Sequence, residues 1–260
     1  MQDATRTIIG SGNNLAKPPP VAASPAIATA HGRRTFGTWI ALTGIALVLA
    51  GFAKTFFLRP LFTDVPLPSL AVVHGIVMSL WLALFAWQAW LVARGRIALH
   101  RTVGAAGAIL TSLVPVLAVA MAIDAMRAGH TPVPQVTSQQ FLAVPLFNIV
   151  AFAGLAGVGL LLRNRRETHR RLMLLALLSI LPPAIARIPQ SLDVLRSASL
   201  VLAIGTVALL VLACAVRDVR IHRRLHPAWI LGGVPAVGCL PLALVVSQTA
   251  WWQRFAAALM

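Results

Sequence analysis

The chain alternates between long stretches of apolar residues and short connections that carry most of its charge. Seven stretches reach the roughly 20 residues that a helix needs to cross the hydrocarbon core of a bilayer. They are continuous and do not alternate with a period of two, which favours helices over a β-barrel. The pattern therefore predicts an all-α membrane protein, a seven-transmembrane-helix bundle with spans at about 38–58, 69–93, 103–124, 141–162, 172–191, 198–216 and 228–249.

The composition agrees with this pattern. Of the 260 residues, 58% are hydrophobic and only 11% are charged. A soluble domain carries about 25% charged residues, and a disordered chain is poor in apolar ones. Both classes are therefore excluded.

Local composition divides the chain into a tail and a transmembrane domain. Residues 1–37 are rich in Pro and Ala and lack the apolar core of a cleavable signal peptide, so we expect a disordered cytoplasmic tail before a transmembrane domain at 38–260. Cys214 and Cys239 fall at different predicted depths. We expect them to be small packing residues and not a disulfide.

The basic residues predict an orientation. Of the 22 Lys and Arg residues, sixteen fall in the tail and in the connections 94–101, 163–171 and 217–224, and six fall on the other side. Loops rich in Lys and Arg stay in the cytoplasm, so the N-terminus is predicted inside and the C-terminus outside. Trp39, Trp90 and Trp229 then lie at the inner interface, and Trp251 and Trp252 at the outer one, as an aromatic belt requires.

The net charge of +16 is explained by this orientation and by attraction to anionic lipids of the inner leaflet. The basic connections are short and hold no aromatic residues for stacking on bases, so no nucleic-acid partner is expected. The acidic residues all fall at predicted span ends or in loops, which argues against a proton-driven pump with paired intramembrane carboxylates; they are Asp3, Asp64, Asp124, Glu167, Asp193 and Asp218.

Histidines next to arginines precede every odd-numbered span. Among them, His100 and His169 are the best candidates for a pair, because histidines at one depth on different helices can bind a metal or haem. The alternative is that they anchor the helix ends by contacting lipid phosphates. The predicted metal ligands are therefore His100 and His169.

The second span carries a polar stripe. His74, Met78, Trp81, Phe85 and Gln88 share one helix face by their spacing. Polar groups at such depths turn away from lipid and find partners, as functional groups or as packing contacts. His74 is a candidate axial ligand, proton carrier or quinone hydrogen-bond donor, and Gly75 beside it allows a helix or ligand to approach closely.

Two arginines on the predicted outer side complete a candidate cofactor-binding set. Arg59 lies just before the second span, and Arg187 follows the helix-interrupting pair Pro182-Pro183. Together with His74 they suggest a pocket for an anionic or quinone-like head group, and Asp124, Asp193 and Arg196 add further charge there. Gln88, in the inner half of the stripe, is the fourth candidate.

Several blocks carry a resemblance to a family: FFLRPLF, VVHG, the segment from Trp81 to Gln88, GRIALHR and THRRLMLLA. They cover spans one to three and five, and the chain resembles a group of uncharacterised bacterial multi-pass membrane proteins. The resemblance implies a bacterial inner-membrane protein with these polar residues as its signature. It implies no reaction.

Two functional hypotheses remain. A retinal protein is excluded because the lysines, Lys17 and Lys54, lie outside the last span, and Walker, GxGxxG and CxxC motifs are missing. The first hypothesis is a membrane module that binds a lipid, a small amphiphile or another membrane protein. The alternative is a redox or respiratory-assembly protein that binds haem or a transition metal through intramembrane and interfacial histidines.

Overall fold

The structure, a computed structural model, describes residues 25–132, 136–191 and 198–260, and every regular element among them is a helix. Seven helical segments in this part of the chain are long and apolar enough to cross a membrane, which confirms the predicted fold class. The helices are α1 Pro25–Phe52, α2 Ser69–Ala93, α3 Ile97–Arg127, α4 Ser138–Phe141, α5 Ala143–Leu161, α6 Arg166–Ser179, α7 Pro182–Ser191, α8 Ser199–His222, α9 Pro227–Ser247 and α10 Ala250–Ala257.

The first helix differs from the sequence prediction. It begins at Pro25, inside the segment predicted as a disordered tail, and the span proper begins at Thr35. Proline is favoured in the first turn of a helix, and the alanines that follow it have the highest helix propensity. The remainder of the predicted tail, 1–24, lies outside the described residues.

Glycine and polar side chains mark the turns between spans. Gly95 and Gly129 close α2 and α3 with φ of 72° each, a conformation that glycine adopts without strain. At the start of α4, Thr137 and Gln140 form a reciprocal capping box. His226 begins α9, where its Nδ1 accepts a hydrogen bond from the backbone N–H of Ala228 at 3.1 Å.

The fifth span forms the centre of the bundle. It is divided at Leu181, where the Pro182-Pro183 pair starts a new helix, so that α6 and α7 together make one crossing. These two helices pack against α1, α5, α8 and α9. The leucines from Leu174 to Leu178 are all buried, because a helix surrounded by other helices has no lipid-facing side.

The stripe on α2 faces this centre. Trp81 is buried, packs edge-on against Phe152 with ring centroids 5.1 Å apart, and donates from Nε1 to the hydroxyl of Thr111 at 3.0 Å. Met78 and Phe85 pack against the same core. The prediction of one inward-facing stripe on this span is thus confirmed for its apolar members.

Candidate functional site

The loops define two ends of the bundle. We call the end with the turns 94–96, 162–165 and 223–226 the basic end, and the end with 58–68, 128–132 and 248–249 the opposite end. Each end holds a group of polar side chains that is buried or lines a cavity. The two groups have different chemistry.

At the opposite end, a cavity of about 250 Å³ lies between α1, α7 and the loop after α3. Its walls are formed by Gly51, Lys54, Thr55, Pro132, Arg187 and Gln190. Here α1 continues as a π-helical turn, Ala53–Phe57. Such widened turns occur often at functional sites, and this one brings Lys54 and Thr55 into the wall.

Close approach of two helices shapes the same region. The backbone of Ala184 lies directly against Gly51, at a separation that any side chain would prevent. The cavity lies beside this close contact between α7 and α1. Glycine is a steric requirement at position 51.

Arg187 is the main charged group in the cavity wall. Its Nη1 donates to the carbonyl oxygen of Pro183 at 2.8 Å, and its guanidinium stacks over the ring of Phe52 at 4.5 Å from the centroid. Among the described residues, no carboxylate lies within ion-pair distance of it. A guanidinium has five N–H donors, and within the part of the chain that the structure describes the hydrogen bond to Pro183 engages one of them.

Of the predicted cofactor set, Arg187 alone is among the residues that line this cavity. Arg59 lies in the loop before α2 and donates from Nε to the carbonyl oxygen of Val65 at 3.0 Å. His74 does not line the cavity; its Nδ1 is buried and has no hydrogen-bond partner among the residues that the structure describes. The approach that Gly75 allows is made by the ring of Phe56, from the π-helical turn. Asp193 and Arg196 lie outside the described residues.

Gln88, the fourth predicted residue, lies at the basic end with the histidine pair. When its amide is oriented to satisfy its neighbours, the nitrogen donates to the backbone carbonyl oxygen of His100 at 3.1 Å and to Nδ1 of the His100 ring. The amide oxygen accepts from the N–H of Gly104 at 3.2 Å. Gln88 therefore fixes the position of the His100 ring.

The predicted pair, His100 and His169, is brought together. The two ring centroids are 6.4 Å apart, and Nδ1 of His169 donates to the carbonyl oxygen of Gly159 at 2.7 Å. A hydrogen bond of this kind orients a histidine and leaves Nε2 available to a ligand. In the described part of the chain, no group of three or more His, Cys, Asp or Glu residues is placed to hold a metal ion.

A buried ion-pair network at the basic end was not predicted. Arg171 and Asp218 were expected in loops, but both are buried, at 2% and 6% exposure. Arg171 donates to the carboxylate of Asp218 from Nε and Nη2, and from Nη1 to a carboxylate oxygen of Glu167 at 2.7 Å. The Nδ1 atom of His222 lies 3.2 Å from Asp218 Oδ1. Asp218, which was expected in the connection 217–224, lies instead inside α8 near its end and is paired with Arg171. The sequence signals were two spacings of four, between Glu167 and Arg171 and between Asp218 and His222.

The network also changes the interpretation of the tryptophans. Trp229 is buried and donates from Nε1 to Asp218 Oδ2 at 3.0 Å, so it is not a belt residue. Trp252 is buried as well and donates to the carbonyl oxygen of Gln139 at 2.9 Å. Trp39 and Trp251 are exposed, as a belt requires.

The environment of His226, in the turn next to the network, favours a neutral ring. Burial lowers its pKa, and the positive charge of Arg171 lowers it further, against the opposing effect of Asp218 and Glu167. A neutral ring is also what the hydrogen bond from Ala228 requires, since a protonated Nδ1 cannot accept.

Both cysteines are buried and free, as predicted. Comparison of the chain with protein-family models, with curated proteins and with solved structures finds no match in any of the three. The chain is an all-helical, multi-pass membrane protein with seven candidate spans and a polar cluster at each end.

Proposed function

We propose that this protein is a membrane-embedded binding module that recognises an amphiphile by an anionic head group at the opposite end of the bundle. The observation that carries the proposal is Arg187, a partly buried cation in a cavity wall with no carboxylate partner among the described residues. Removing a cation from water without a counter-ion is costly. An anionic ligand would offset that cost.

The rest of the wall suits the same class of ligand. Lys54 contributes a second cation, Thr55 a hydroxyl and Gln190 an amide. A guanidinium binds carboxylate and phosphate groups through paired hydrogen bonds. At about 250 Å³ the cavity is smaller than the usual drug-sized pocket, which favours a head group over a whole lipid.

The experiment compares two probes that share one chain and differ in charge, oleate and oleyl alcohol. We expect oleate to raise the melting temperature of the purified protein more than the alcohol does, because a ligand that binds only the folded state stabilises it. Arg187→Gln should abolish the difference, and Arg187→Lys should keep part of it. Arg59→Gln, an arginine of the same end outside the cavity, is the matched control and should behave as wild type.

The difference between the probes is the readout, so a general loss of stability in the Arg187 variants does not obscure the result. Equal shifts for the two probes in the wild type, or an unchanged difference in Arg187→Gln, would overturn the proposal. A shift caused by an uncharged benzoquinone with an alkyl tail, and not by oleate, would replace the anion with a quinone head group.

A second candidate function is favoured by the histidine pair. His169 donates from Nδ1 and so presents the lone pair of Nε2, the arrangement of a histidine that ligates a transition metal or haem iron. The ring of His100 lies 6.4 Å away, but its Nδ1 accepts from Gln88, so a neutral His100 carries its proton on Nε2 and would have to give up that hydrogen bond to become the second ligand. The remaining ligands would come from the cofactor or from solvent. Metal analysis and an absorption spectrum of the purified protein test it, and wild-type protein without bound metal or Soret absorption would refute it.

We further propose the inner membrane of a bacterium as the location, with the basic end in the cytoplasm. The support is the positive-inside rule together with the concentration of arginines in the turns of that end. The resemblance to uncharacterised bacterial multi-pass proteins points to the same location.

A further inference from the structure

The last two full-length spans leave a groove between them. Helices α8 and α9 follow one another in the chain but touch only sparsely, and a groove of about 660 Å³ runs along their outer side. Small residues leave the space open, among them Ala208, Ala215, Gly233 and Gly238. Leu212 and Val234 in its walls are exposed on the surface that would face lipid.

Positive charge is confined to one end of this groove. Arg220 forms part of the wall at the basic end, and Arg223 and Arg224 follow in the adjoining turn. All three side chains are exposed, and none makes an ion pair with a carboxylate in the part of the chain that the structure describes. Their neighbours Arg170 and Arg171, by contrast, are occupied by Glu167 and Asp218.

The length of the groove matches one leaflet. From Ala208 to Arg220 the helix rises about 18 Å at ~1.5 Å per residue, and one leaflet contributes about half of a ~30 Å hydrocarbon core. If the apolar part of the groove fills one leaflet, the arginines come to the level of the lipid phosphates and the groove runs from there towards the middle of the bilayer.

We propose that this groove binds one phospholipid with a net negative head group. One acyl chain lies between α8 and α9, and Arg220, with Arg223 and Arg224, binds the phosphate. A phospholipid carries its charge at one end of a long apolar chain, as the groove carries the complementary charge at one end. This site is separate from the Arg187 cavity, so either proposal can fail without the other.

The test is native mass spectrometry of the full chain after delipidation. The probes are phosphatidylglycerol and phosphatidylcholine with the same acyl chains. We expect one phosphatidylglycerol to be retained per protein in preference to phosphatidylcholine. Arg220→Gln should weaken the binding of phosphatidylglycerol about fivefold, which is the effect expected of one arginine near an anionic surface. Arg163→Gln, an exposed arginine of the same end away from the groove, should leave the preference unchanged.

A second pair of variants tests the groove itself. Gly238→Leu places a side chain into the groove, where nothing lies within 4 Å of an added Cβ, and should reduce binding of both lipids. Gly205→Leu on α8 also meets open space but lies outside the groove, and should not.

Three results would overturn the proposal. They are equal retention of the two lipids by the wild type, an unchanged preference in Arg220→Gln, and equal effects of Gly238→Leu and Gly205→Leu. A dimer of the wild type that is replaced by monomer in Gly238→Leu would assign the groove to a second copy of the chain.

Discussion

Arg171 and Asp218 meet through two parallel hydrogen bonds, from Nε to Oδ2 at 2.8 Å and from Nη2 to Oδ1 at 2.9 Å. The arginine belongs to α6 and the aspartate to α8, and Trp229 of α9 donates to the same carboxylate. Paired hydrogen bonds of this kind fix both distance and angle. Three helices are therefore held in register at the basic end by one carboxylate.

This arrangement predicts that Asp218→Asn is strongly destabilising. The substitution leaves the buried Arg171 guanidinium with only Glu167 as an acidic partner, and breaking one side of a buried ion pair costs about 3–5 kcal/mol. We expect a loss in that range in the free energy of unfolding, measured by titration with sodium dodecyl sulfate in mixed micelles.

Two further variants complete this test. Arg163→Gln, an exposed arginine of the same end, should change the free energy of unfolding by no more than about 0.5 kcal/mol. The double variant Arg171→Met, Asp218→Leu should be more stable than Asp218→Asn, since apolar residues of similar volume often replace a buried pair at little cost. If Asp218→Asn resembled the Arg163 control, the network would not hold the helices together.

A second prediction concerns the contact between α9 and the central span. A Cβ at Gly232 would lie 2.7 Å from Cδ1 of Leu175, which is fully buried, and 3.1 Å from leucine atoms of α5 and α6. Overpacking a core costs about 1–3 kcal/mol, so Gly232→Ala should reduce the free energy of unfolding by about that amount in the same titration.

Gly154→Ala is the matched control for this variant. Gly154 lies on α5 with no atom within 4 Å of an added Cβ. Alanine there should be neutral or stabilising, because it restricts the unfolded chain and has the higher helix propensity. Equal effects of the two substitutions would mean that α9 is free to move away from Leu175.

The spans and their number could be predicted because each needs only a local property, about 20 apolar residues in sequence. The contact of His100 with His169 was also within reach, since both residues begin odd-numbered spans and so come to the same end. The partner of Gln88 was not, because the predicted stripe fixes the face of α2 but not which helix lies opposite.

The ion-pair network and the cavity depend on packing between distant segments. Arg171 and Asp218 are separated by almost the whole of α6, α7 and α8, and an arginine-rich loop gives the same sequence signal whether a member is exposed or buried. The position of Arg187 near the opposite end could be predicted from the rise per residue of the fifth span. The residues that share the cavity with Arg187 depend on the close approach of α7 to Gly51, which no sequence pattern records.

A third prediction is a pH dependence that arises at His226. Burial and Arg171 lower its pKa in the folded state, so the folded protein favours the neutral ring. The stabilising contribution is complete above the unfolded value of about 6.5 and is lost as the pH falls through the folded pKa. Protonation also removes the acceptor for the N–H of Ala228 at the start of α9.

The variant His226→Asn isolates this effect. Asparagine is a favoured N-cap residue and does not titrate. Between pH ~7.5 and ~5.0, the melting temperature of the wild type should fall more than that of His226→Asn, and other titrating groups cancel in the comparison. A larger fall in the variant would show that His226 gains a stabilising charge in acid, the opposite sign.

The last prediction tests the orientation. In a chain with Cys214 and Cys239 replaced by alanine, single cysteines are placed at exposed loop positions, Arg96→Cys and Asn164→Cys at the basic end and Asp64→Cys at the opposite end. With the basic end in the cytoplasm, a membrane-impermeant maleimide added to intact cells should label only the cysteine at 64. The other two should react after permeabilisation. Labelling of 96 and 164 in intact cells would reverse the orientation and place the Arg187 cavity on the cytoplasmic side, where its ligand would have to be a cytoplasmic anion.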